Sequence, residues 1–100
     1  QQMQLESIQL AKAKEDELLQ LQWDQARDQL SENEKIMALQ QQNDVHAENK
    51  YQGGIISLDE RLNQYDDLLT AQDQYLQSKA SLSLAQYKLY IRQIDFQAQK

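Results

Sequence analysis

The sequence predicts an all-α fold: two long helices of coiled-coil type, joined by one tight turn into an antiparallel hairpin that is part of an α-barrel or multi-helix bundle. Three observations carry this. The only two glycines, Gly53 and Gly54, are adjacent near the middle of the chain, and proline is absent. On both sides of that pair, residues recur at alternating steps of three and four, the spacing of a heptad seam. On the C-terminal side a second apolar stripe keeps the same spacing on the opposite flank of the helix, which asks for a further neighbour.

The turn comes first because it divides the chain. Glycine takes left-handed backbone angles without steric cost, so a glycine pair after a long Gln-, Leu- and Lys-rich run marks a helix stop. Ser57-Leu58-Asp59-Glu60 places a glutamate three residues after a serine, a capping box that starts a new helix. The chain therefore reads as one hairpin: a helix over about 2–52, a turn over 53–57 and a helix over about 58–98. A link this short folds the second helix back along the first.

In the first arm the seam is Leu19, Trp23, Ala26, Leu30, Asn33, Met37, Gln40, Asp44, Ala47 and Tyr51. Its half nearest the turn is polar at Asn33, Gln40 and Asp44, and packing there is expected to be looser or wetter. Leu18, Leu21, Ile36 and Leu39 lie off the seam, so a second neighbour is implied. Ser31-Glu32-Asn33-Glu34 could be a second capping box and mark a break or kink near Leu30, although serine within a helix is ordinary and neither glycine nor proline accompanies it.

The second arm has the cleaner seam: Leu68, Ala71, Tyr75, Ser78, Leu82, Ala85, Leu89, Arg92 and Phe96. Small residues alternate with large ones, which lets a neighbouring helix come close at Ala71, Ser78 and Ala85. A second set, Ala80, Leu84, Tyr87, Ile91, Ile94 and Ala98, is nearly opposite, since residues two apart on a helix point about 200° apart. Apolar stripes on opposite sides suit a wall of side-by-side helices. The plainer alternative is the core of a four-helix bundle dimer.

Composition narrows the function. A hairpin of 100 residues buries too little apolar surface to be comfortable alone, so self-association or a larger parent chain is expected. Without cysteine there is no disulfide framework, thiolate metal site or cysteine nucleophile. The formal charge of −6, with Lys12, Lys14, Arg61 and Arg92 scattered among acids, argues against binding nucleic acid or anionic lipid nonspecifically. No apolar run approaches the roughly 20 residues of a membrane-spanning helix. Gln1-Gln2-Met3 opens directly into amphipathic helix, so the chain reads as an excised fragment or a mature segment.

The turn and second arm together resemble the outer membrane efflux protein family, the TolC-like outer membrane factors. The tip Tyr51-Gln52-Gly53-Gly54-Ile55-Ile56-Ser57-Leu58 has the tyrosine three residues before the turn glycine and the short apolar-plus-serine segment of that family's second periplasmic hairpin. It continues into Leu62-Asn63, Leu68-Leu69-Thr70-Ala71-Gln72, Tyr75-Leu76 and Ser78, and more loosely to Ala85-Gln86-Tyr87. The resemblance covers about residues 45 to 90. Gln64 stands where the family usually has alanine and Ala80 where it often has tyrosine, and the glycine after the second helix is missing.

The resemblance implies a trimeric parent protein whose hairpins form a hollow periplasmic α-barrel, the exit duct of tripartite efflux pumps or type I secretion in a Gram-negative outer membrane. It implies a partner, the hairpin of the periplasmic adaptor protein, met at Gly54, Ile55, Ile56 and Ser57 with Gly53 beside them. It also implies a lumen constriction at Glu60, with Asp59 next to it. Membrane attachment would come only through parts of the parent chain outside these residues. Two other readings stay open: the adaptor's own hairpin, which pairs a Gly-Ile-Ser tip with heptad arms, and a generic scaffold coiled coil that binds along its sides.

Each candidate has a plainer reading. Asp59 and Glu60 in a first helical turn stabilise the helix dipole without further purpose, and Asp66, Asp67 and Asp73 suit a solvated or lumenal face better than a metal site. His46 is alone and off the seam, so no metal site is expected, and no cofactor. No serine has a histidine and an acid in a believable arrangement and no phosphate loop exists, so no catalytic residue is assigned. Trp23, Tyr75 and Tyr87 sit on seams as packing residues. Ile55 and Ile56 at a solvent-facing turn suggest a contact surface, or a hydrophobic staple onto the second helix.

Overall fold

A computed structural model describes residues 2–98, with side-chain environments for residues 8–95. The chain is a helical hairpin: α1 is Gln2–Gln52, α2 is Leu58–Ala98, the two helices pack against each other, and no strand occurs among the described residues. Phe96 and Ala98, expected on the two stripes of the second arm, lie outside the described side chains. α1 runs without interruption through Ser31, so the possible break near Leu30 does not occur. Ser31 simply continues a helix that has neither proline nor glycine to stop it.

Two compact units make up the chain. One is Gln29–Lys79; the other joins Gln1–Asp28 to Ala80–Lys100. In the first, Asn33 of α1 lies against Ser78, Gln40 against Gln64, and Asp44 against Arg61. Partners fall along α2 as they climb along α1, which is the antiparallel order. The buried residues of this unit are Asn33, Ala47, Leu68, Ala71 and Ser78. Four of these five are small or of middling size. Small side chains at heptad spacing let two helical backbones approach, and close approach is what dries a two-helix seam.

The polar stretch of the seam is therefore not looser. Asn33 is buried and its amide donates to Ser78 Oγ and, at 3.4 Å, to the Gln74 carbonyl; Gln29 donates to its oxygen at 3.3 Å. Ser78 Oγ donates to the Gln74 carbonyl at 2.9 Å, and Gln64 donates to Gln40 at 2.9 Å. Polar groups can leave water when they find partners across the seam. These do.

The second unit is apolar along its seam apart from Arg92, yet less covered. Leu19, Trp23, Ala26, Leu82 and Leu89 are half-buried, and Ala85 alone among the described residues there is buried. Trp23 carries the Arg27 guanidinium 4.9 Å from its ring centre, a cation–π contact that closes one face of the indole. Large side chains on a two-helix seam keep one edge in water, because no third element reaches over them.

Candidate functional site

The tip is built by the way α1 ends. Gly54 adopts φ +73°, its N–H donates to the Tyr51 carbonyl at 3.0 Å, and the Ile55 N–H donates to the Lys50 carbonyl at 2.8 Å. This pair of bonds is a Schellman motif with Gly54 at its left-handed position, and it satisfies carbonyls the ending helix would otherwise leave orphaned. Gly53 has no such angle: its N–H still donates to the Asn49 carbonyl at 3.0 Å, and a Cβ there would meet only ordinary contacts. One glycine makes the turn; the other accompanies it.

Ser57 starts α2. Its Oγ accepts the Glu60 backbone N–H at 3.1 Å and its carbonyl accepts the Arg61 N–H at 3.0 Å, the bonds of an N-cap. Asp59 and Glu60 are both exposed in the first turn, where their charge complements the helix dipole.

Between these caps the two isoleucines differ. Ile55 is 75% exposed, and its Cδ1 would lie 3.9 Å from a Cβ at Gly53, so it leans beside the glycine pair at the end of α1. Ile56 immediately precedes the cap, the position from which a staple packs onto the first helical turn, and it is half-buried. The helix ends beside them expose Tyr51, Leu58 and Leu62. A turn that is rigidly capped on both sides and still holds out an isoleucine can insert it into a partner with little loss of conformational entropy.

Behind the tip lies a charged clasp. Arg61 Nε donates to Glu48 Oε2 at 2.6 Å and Nη1 to Asp44 Oδ1 at 2.7 Å, while Gln52 donates to Glu48 Oε1 at 2.9 Å. Glu48 is held below the usual carboxylate range, first by the hydrogen bond from Gln52 and then by that from Arg61. The Arg61 guanidinium is held more firmly protonated, chiefly by Glu48 and then by Asp44. The hydrophobic pattern that picked out Leu68 and its successors passed over Arg61 and Gln64, both half-buried on the seam. Their signal was present: counting back from Leu68 by four and then three reaches Gln64 and Arg61.

The outer flank of α2 is the other unfilled surface. In the unit formed with the chain ends, Leu84, Tyr87, Ile91 and Ile94 are exposed at 54%, 59%, 40% and 45%. Tyr87 is thus an outward residue, whereas Trp23 and Tyr75 are half-buried on the seam. In the Gln29–Lys79 unit, Leu62, Tyr65, Leu69 and Leu76 are also exposed on α2. Their spacing of three, four and seven is the same repeat. Leu18, Leu21, Ile36 and Leu39 of α1 are exposed as well.

Among the described residues no group of three or more His, Cys, Asp or Glu side chains is placed to hold a metal ion, and His46 is exposed. No described helix is long and apolar enough to cross a membrane. No protein-family model, no curated protein and no solved structure matches the chain, so the functional reading rests on this geometry and on the residues that make it.

Proposed function

We propose that this chain is the periplasmic α-barrel hairpin of an outer membrane channel for efflux or type I secretion, serving as duct wall and as docking tip, without catalysis. The observation that carries the reading is the bare outer flank of α2: Leu84, Tyr87, Ile91 and Ile94 stay in water while on the seam Ala85 is buried and Leu82 and Leu89 are half-buried. Four large side chains in one stripe are a liability on a free hairpin and a joint in a wall of helices. The neighbours in that wall are further hairpins of a trimeric parent protein. At the tip, the rigidly capped turn presents Ile55 to the hairpin of a periplasmic adaptor. Asp59 and Glu60, exposed on the first turn of α2, would lend negative charge to the duct near its mouth.

The test has two arms. Sedimentation of the chain should show association through the α2 flank, lost in Leu84→Ser combined with Ile91→Ser. Crosslinking to an adaptor hairpin should be strong for the native tip and abolished by Ile55→Ser with Ile56→Ser, at unchanged helicity. A monomer at high concentration that ignores every adaptor hairpin offered would count against the proposal.

A further inference from the structure

The clasp behind the tip has more bonds than a solvated ion pair needs. The Arg61 side chain is 15% exposed and that of Asp44 21%, whereas the Glu48 carboxylate, 45% exposed, has one oxygen on Arg61 and the other on Gln52. Gln52 is the last residue of α1, and Arg61 lies in the first turns of α2. One chain of hydrogen bonds therefore runs from the final residue of one helix through Glu48 to the start of the next. Closing the 53–57 turn from behind is its geometric effect. Two hydrogen bonds from a planar guanidinium to two carboxylates fix direction as well as distance.

We infer that Arg61 is a positioning residue that braces the turn, so that residues 53–57 keep one presentation while Glu48 is ionised and loosen as acid protonates it. Arg61 stays charged throughout, so the brace is switched by the Glu48 carboxylate. Facing the guanidinium from α1 are Asp44 and Glu48; the first turn of its own helix carries the exposed Asp59 and Glu60; the turn 53–57 contributes no titratable group. Lys50, His46 and Tyr51 on the last turns of α1 are exposed. With Glu48 protonated, the guanidinium loses the anion that also ties it to Gln52, and the bonded link from the end of α1 to the start of α2 is weakened. The depressed titration of Glu48 has the same sense: the carboxylate form belongs to the braced state.

The regulatory meaning of this brace, a docking tip that weakens in acid, rests on the function proposed above; the brace itself does not. Amide hydrogen exchange separates the two, since it needs no partner. The reporting protons are those of Gly53, Gly54 and Ile55, bonded to the carbonyls of Asn49, Tyr51 and Lys50. In the native chain their protection, corrected for intrinsic rates, should fall several-fold as pH drops below the ordinary carboxylate range, through the lowered value of Glu48. In Arg61→Met it should be low and flat with pH, and Arg61→Lys should restore part of it. Asp44→Asn with Glu48→Gln removes both charges without removing side chains, and should give at neutral pH protection at least as low as the native chain shows in acid. Native protection and an unaltered pH profile in that double variant overturn the inference, even if Arg61→Met unfolds the hairpin. A normal brace in a chain that binds no adaptor would instead sink only the docking reading.

Discussion

The Gln29–Lys79 unit and the unit made of the chain ends use the same helices and the same heptad, yet they dry their seams differently. In the first the seam is interrupted by Asn33, Gln40, Asp44, Arg61, Gln64 and Ser78, and it holds five buried residues. In the second the seam is Leu19, Trp23, Ala26, Leu82, Ala85 and Leu89 with Arg92 its one charged member, and among the described residues only Ala85 is buried. The more polar seam is the better covered one. Between two helices, coverage follows how near the backbones can come, and small or mutually bonded side chains permit that where large apolar ones hold the helices apart. Leu68 is buried among small seam residues, whereas the half-covered seam and the nearly opposite bare flank of the second unit each leave room for a further neighbour.

The largest expected effect tests this directly. Leu68 is 8% exposed, the one large apolar side chain among the buried residues. Leu68→Ala should cost about 2–3 kcal/mol, the lower part of the range for a buried leucine, because a two-helix seam can partly collapse into the space. Leu82→Ala, at a half-buried position of the other unit, should cost roughly 1 kcal/mol in the dissociated chain. Urea unfolding followed by circular dichroism, at fixed chain concentration, measures both. If concentrating the chain into an assembly raises the Leu82 penalty to that of Leu68, the third element has been found; equal penalties in the monomer would show that residue size does not govern this seam.

A smaller effect sharpens the comparison inside the turn. Gly54→Ala forces a Cβ onto a left-handed residue, and with nothing within 4 Å the whole cost is backbone strain, about 1–2 kcal/mol. Gly53→Ala meets only ordinary contacts and loses unfolded-state freedom, so it should be neutral or stabilise by about 0.5 kcal/mol. Thermal unfolding of the two variants should move in opposite directions, or at least differ by more than either measurement's scatter.

Much of the seam was legible in sequence because one physical rule governs it. Every residue from Leu19 to Ala47 in the first arm's series, and from Leu68 to Arg92 in the second's, is buried or half-buried. The all-α hairpin follows from the same period and the glycine pair. Among the described seam residues Tyr51 is the exception: α1 ends one residue later, and it is exposed. Looseness near the turn was misread because polarity was weighed residue by residue, and the partners of Asn33 and Asp44 are 45 and 17 residues away in sequence. Arg61 was missed for the mirror reason: a charged side chain scores as surface until the two acids opposite it are known. The tip residues were legible as a motif, but which isoleucine stays outside depends on the Schellman geometry, and no apolar pattern encodes that.

The smallest effect separates the two arginine clasps. Arg92 Nη1 lies 2.9 Å from Glu15 Oε2, and Nε donates to Asp16 Oδ1 at 2.8 Å, but its side chain is 30% exposed and its acids 63% and 58%. Both guanidiniums are held more firmly protonated by their acids, Arg92 chiefly by Asp16, so neither titrates in a working range and pH acts through carboxylates. For Glu48 the folded state depresses the carboxyl, so its contribution is complete above the ordinary carboxylate range and is lost as pH falls through the folded value. Salt reaches the two clasps unequally, since screening is strong in water and weak where water is excluded. Arg92→Gln should therefore destabilise slightly at low ionic strength and not at 1 M salt, while the effect of Arg61→Gln should persist. Paired unfolding curves of both variants at the two salt concentrations test this, and if the Arg61 difference vanished together with that of Arg92, the clasp behind the tip would be a solvated ion pair with no capacity to hold the turn.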